Sequence, residues 1–129
     1  MRTRWMAVIV LLFLTGCAAI NPNPRPWTMK EKTAAGFFIL AHTANYFSTN
    51  AIVDSPYCYE SNFIMGRDPS DGEIATYFSI TGIIALAIAH FYPKTRVPLL
   101  MTYGGINAFL TVYDYSLIDD QERKNRDKQ

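Results

Sequence analysis

Cysteine is scarce in this chain. Cys17 and Cys58 are the only two in 129 residues, too few for a disulfide scaffold or a zinc cluster. Charge of one sign is scarce as well. Twelve basic and eleven acidic residues leave a formal charge of +1, so no basic field points to nucleic acid. Motifs of known chemistry are missing too. G-x-S-x-G, H-E-x-x-H, C-x-x-C and a phosphate-cradling glycine loop do not occur, and Tyr103-Gly104-Gly105 lacks the preceding strand such a loop needs. No enzyme is expected, and no cofactor. Histidine is limited to His42 and His90. Together they are the candidates for a metal or haem site, yet neither has an acid at the i+3 or i+4 spacing that builds a metal site on a helix.

Hydrophobic residues make up half of the chain, and their distribution is uneven. Met1 to Arg4 carries two arginines, and Trp5 to Leu14 is apolar throughout. A basic start followed by a ten-residue apolar run has the layout of a secretory signal, too short to span a bilayer core of about 30 Å. The run ends in Leu14-Thr15-Gly16-Cys17, which resembles the lipobox of bacterial lipoproteins. The resemblance implies a signal peptide over 1–16, cleavage before Cys17 and a covalent lipid on its sulfur, such as a palmitate-bearing diacylglycerol. Two or more acyl chains give stable membrane anchoring. Cys58 would then be the one free thiol, idle or engaged in an intermolecular disulfide. The alternative is an uncleaved first helix, which makes the chain a four-helix integral membrane protein of transport-accessory or phage-exclusion type.

Asn21-Pro22-Asn23-Pro24-Arg25-Pro26 alternates proline with polar residues and reads as an extended spacer, so that residues 17–27 link the lipid to the body. Thr28 with Glu31 forms a capping box, as does Ser70 with Glu73. Helices are expected at about 28–53, 71–92 and 97–118, a small all-α membrane-associated bundle over 28–118 followed by a charged, solvated tail at 119–129. Residues 33–53 contain no formal charge over 21 positions, enough to span. The run carries His42, Asn45 and Thr49 on one face, which suits either polar contact with partner helices or a surface-lying amphipathic helix. Residues 74–92 form the strongest spanning candidate. Ala75, Ser79, Gly82 and Ala89 give that helix a small-residue face for close helix packing, and Gly104 and Gly105 do the same in the third helix. Asn107, Thr111 and Asp114 form a polar stripe there. Pro98 suits the first turn of that helix.

The loop at 54–72 includes Glu60, Asn62, Gly66, Pro69 and Ser70. Those residues resemble a motif, E-x-N-P-apolar-apolar-G-x-x-P-S, found in a group of small bacterial and phage membrane proteins. Phe63 stands where that group usually has proline. The resemblance implies architecture, a first helix followed by two more hydrophobic ones, and brings no activity. The expected partners are membrane lipid and either a second copy of the chain or another envelope protein. The cell envelope is the expected location: the inner membrane if the helices span, with the outer membrane open to an anchored chain. Three spans from a lipidated N-terminus would put Lys94 and Arg96 outside, against the positive-inside tendency.

Overall fold

The computed structural model describes residues 24–55 and 69–127. Residues 1–16, expected as a signal peptide, and Cys17, Cys58 and the loop residues Glu60, Asn62 and Gly66 lie outside them. The described residues form three helices and no strand: α1 at Met29–Asp54, α2 at Asp71–Phe91 and α3 at Arg96–Arg126.

Local chemistry sets the starts. Thr28 accepts from the Glu31 backbone N–H while the Glu31 carboxylate takes the Thr28 N–H, which closes a capping box on α1. Ser70 and Glu73 do the same for α2. Each reciprocal pair satisfies backbone donors that the first turn leaves orphaned. Pro93 follows the last residues of α2, and a tight turn closed by the Thr95 N–H on the Tyr92 carbonyl leads into α3. Pro98 falls in the first turn of α3, where its missing N–H costs no helical bond.

The end of α3 departs from expectation. Residues 119–126, expected as a solvated tail, continue the helix. Asp119 pairs with Arg123 at 2.9 Å and Asp120 with Lys124 at 2.6 Å, both at i,i+4. Acid preceding base at that spacing supports a helix even in water.

α1 packs most extensively on α3. Its buried residues Glu31, Ala34, Phe38, Ala41, Asn45, Ser48 and Ile52 recur at alternating intervals of three and four, the repeat of a coiled-coil seam, with Thr49 buried beside Ser48. Contacts across the seam keep a nearly constant separation in sequence: 62 for Asn45–Asn107, 65 for Glu31–Arg96 and His42–Asn107, 66 for Ser48–Asp114. Constant separation means that α1 and α3 run parallel and in register. α2 returns between them in sequence and lies antiparallel to both. Its buried face is Ile74, Phe78, Gly82, Ala85 and Ala89. The apolar core gathers Ala34, Phe38, Ala85, Ala89 and Leu100.

The small-residue positions divide. Gly82, Ala89 and Gly104 are buried, Ala75 is half-buried, and Ser79 and Gly105 are exposed. A Cβ on Gly104 would come 2.7 Å from the Phe37 ring and 3.2 Å from the Phe38 Cα, whereas one on Gly105 meets nothing within 4 Å. Gly105 faces outward because successive helical residues are about 100° apart around the axis, at 3.6 residues per turn. Ser79 is out of the packing for a similar reason: the face of α2 turned inward follows Phe78 and Gly82.

The outside of the bundle is apolar. Leu40, Ile83, Phe109 and Val112 are 73%, 67%, 68% and 70% exposed, and Phe47, Ile80, Met101 and Ile106 are also exposed. Among the described residues, α2 alone is both long and apolar enough to cross a membrane, with only 22% of its most apolar stretch buried inside the protein.

Candidate functional site

The polar residues that the sequence spreads over two helices come together inside the bundle. Asn107 on α3 is the centre. Its side-chain amide donates to the Tyr103 carbonyl at 2.7 Å, one helical turn back. Its oxygen Oδ1 accepts from the Asn45 amide at 2.9 Å and lies 3.0 Å from His42 Nδ1. The other ring nitrogen of His42 reaches α2, where Nε2 donates to the Phe78 carbonyl at 2.9 Å. One imidazole therefore touches all three helices; a neutral ring carries a single N–H and donates to one of these two oxygens at a time.

That reach depends on Gly82. A Cβ there would sit 3.1 Å from His42 Nε2. Gly82 lies four residues after Phe78, directly over the carbonyl that the ring approaches. With no side chain in the way, the imidazole can bond a carbonyl that already belongs to the helix. The ring is held by aromatic neighbours: Phe38 stacks at 5.2 Å, and Phe78 and Tyr103 tilt against it at 5.0 and 5.8 Å.

Farther along the seam, Ser48 is fully buried and its hydroxyl donates to Asp114 Oδ2 at 2.7 Å. Thr111 bonds the Asn107 carbonyl at 2.9 Å. Every buried side-chain nitrogen and oxygen among the described residues has a partner. A network satisfied throughout specifies register, whereas a partly satisfied one would destabilise the fold.

A second polar cluster closes the end where α1 and α3 begin. Arg96 is fully buried. Its Nε donates to the Ala89 carbonyl. One terminal nitrogen reaches the Pro26 carbonyl and Glu31, and the other the carbonyls of Arg25 and His90. Five donors thus meet five acceptors, drawn from the residues just before α1, from α1 itself and from the end of α2. The guanidinium also lies 4.6 Å over the Trp27 ring, a cation–π contact. Arg25 grips Glu31 from outside with two bonds of 3.0 and 2.6 Å. The Arg25 hydrogen bond, then the Thr28 backbone N–H, hold the Glu31 carboxyl down at about 2 from an ordinary 4.5, against the opposing effect of burial.

The clamp was not readable as a cluster in the sequence, where Arg96 belongs to a short basic turn and Glu31 to a helix cap. Its one visible signal is that same capping glutamate, a residue with a second possible role at a helix start.

His42 and His90 are not brought together. His42 sits opposite Phe78, twelve residues from His90, about 18 Å along the helix at 1.5 Å per residue. His90 is exposed near the far end of α2 and packs edge-on against Phe91 at 5.1 Å. The described residues hold no group of three His, Cys, Asp or Glu able to bind a metal ion. Beside His42 lies an open pocket of about 350 Å³ between α1 and α2, lined by His42, Thr43, Tyr46, Ala75, Phe78 and Ser79. Ala75 and Ser79 thus border this opening. Of the loop-motif residues, Pro69 is buried and Ser70 caps α2.

No known protein family, curated protein or solved structure matches this chain.

Proposed function

We propose that this chain is a small, lipid-anchored protein of a bacterial or phage-encoded cell envelope, whose three-helix body is embedded in the membrane and serves a structural or interaction role without catalysis. One observation carries the proposal. Large apolar side chains point outward on all three helices, while Glu31, Asn45, Ser48, Thr49, Arg96 and Asn107 are buried between them. In water that distribution leaves an extended apolar surface exposed, which monomeric soluble proteins rarely tolerate. In a bilayer the same surface is solvated by lipid, and polar groups must turn inward and find partners.

The polar seam also accounts for the hydropathy of α1 and α3, which is too low for a spanning segment taken alone. Their buried polar residues face each other and not lipid. Polar contacts and close approach at small residues are what associate helices in lipid, where no hydrophobic effect acts between them. The lipid on Cys17 is then a second hold on a body already embedded, and the inner membrane becomes the favoured location.

Two measurements test this together. Alkaline carbonate washing of membranes should leave the chain in the pellet, and radiolabelled palmitate should enter the wild type and not Cys17→Ala. Release by carbonate overturns the embedded body. Absence of label from the wild type overturns the anchor.

A further inference from the structure

The two ends of the bundle differ in charge. At the end where α1 and α3 begin and α2 finishes lie Arg25, Lys30, Lys32, Lys94 and Arg96, with Glu31 as the one carboxylate. Glu31 is taken up by Arg25 and by the buried Arg96. Lys30, Lys32 and Lys94 are exposed and make no ion pair among the described residues. At the opposite end, Asp54 closes α1 and Asp71 and Glu73 open α2, with no lysine or arginine in 48–55 or 69–78; α3 adds Asp119 and Asp120 there, and the bases that follow them, Arg123 and Lys124, are taken up in ion pairs with those two acids.

The basic end has a second feature. Trp27 and Tyr92 are half-buried there, beside the exposed Phe91. Amphipathic Trp and Tyr rings favour the headgroup level of a bilayer. Lysines with apolar stems extend past an apolar wall and place their charge among headgroups. The three lysines stand around a rim, on the first turn of α1 and on the turn before α3. That arrangement suits a layer of phosphates and not one enclosed anion.

We propose that this end is a docking surface for anionic phospholipid headgroups, with Lys30, Lys32 and Lys94 making the contact. It rests on the membrane embedding proposed above and adds the lipid class and the end of the bundle that receives it. Each basic residue near an anionic surface contributes about a fivefold preference, so three give on the order of a hundredfold.

The full chain in neutral detergent is titrated with phosphatidylglycerol or phosphatidylcholine, and bound lipid is read by native mass spectrometry. Phosphatidylglycerol should bind at least about tenfold more tightly, allowing for weakening by the micelle. The triple variant Lys30→Gln, Lys32→Gln, Lys94→Gln should lose that preference at unchanged helicity, while Lys124→Gln keeps it. Equal binding of the two lipids, or a preference that survives the triple variant, overturns the proposal. Displacement by inorganic phosphate as readily as by lipid also overturns it and points to a free-anion site. Carbonate washing separates the layers: a chain that stays in the membrane yet shows no lipid preference refutes the docking surface alone, and a chain that washes off refutes both.

Discussion

Arg96 illustrates how much one side chain can hold. Its five bonds join the residues just before α1, α1 itself and the last turn of α2. Replacing it by alanine leaves four carbonyls without this donor, while Glu31 keeps its bonds from Arg25 and Thr28, and each unmet buried group costs about 1–3 kcal/mol. Arg96→Ala is therefore expected to lose at least about 3 kcal/mol in a denaturant titration followed by helicity. Arg96→Lys should recover little of it, because a point ammonium with three donors cannot reproduce a planar fork with five. Glu31 supplies the pH dependence of the same cluster. Its carboxyl titrates near 2 in the fold against an ordinary 4.5, so the fold favours the ionised form. That contribution is complete above about pH 4.5, declines as the pH falls, and is gone below about pH 2. Glu31→Gln should lower the neutral-pH melting temperature and flatten its fall in acid, which a series of thermal melts between pH 6 and pH 2 would check. The sequence made the caps legible because a capping box is local, three residues across. It did not make the clamp legible, because Arg96 and Glu31 are 65 positions apart and only the parallel register brings them together.

At the scale of the element, the adjacent pair Gly104 and Gly105 separates packing from propensity. Gly104→Val should weaken the α1–α3 seam, since the backbone of Phe38 cannot yield as a flexible ring can. Gly105→Ala should be neutral or stabilising, by up to about 1 kcal/mol in helix propensity. Opposite shifts in the melting temperatures of the two variants would check this. Gly82→Ala belongs with Gly104→Val, because its new methyl would press on His42 Nε2 and lengthen the bond to the Phe78 carbonyl. From sequence alone the two neighbouring glycines look equivalent, and Ser79 looks like Gly82. Facing direction is fixed only by where the partner helix lies. The polar stripes were legible, because His42–Asn45–Thr49 and Asn107–Thr111–Asp114 follow helical spacing. Their meeting was not, since a polar face can turn to a neighbour or to water. The tail was only half legible for a related reason: a balanced run of acids and bases reads as solvated and leaves helix open, and it is solvated, but Asp119–Arg123 and Asp120–Lys124 also sustain the helix.

For the whole molecule, the decisive property is the placement of polarity. Three long helices surround a seam of asparagine, serine, histidine and aspartate, capped by a buried arginine, and present phenylalanine, isoleucine, leucine and valine outward. Composition alone conveys half of this: an even share of hydrophobic residues does not say whether they lie inside or outside. The fold does, and the outward placement is what the membrane proposal stands on. Site-directed spin labelling tests it directly. Cysteines introduced singly at Leu40, Ile83 and Phe109, one on each helix, are labelled in a Cys58→Ser background and reconstituted in vesicles, with Lys124 as the control in the charged tail. Embedding predicts that the first three labels collide mainly with oxygen, which concentrates in the hydrocarbon, and that the fourth collides mainly with a water-soluble nickel chelate. Nickel accessibility at Leu40, Ile83 and Phe109 equal to that at Lys124 would contradict it.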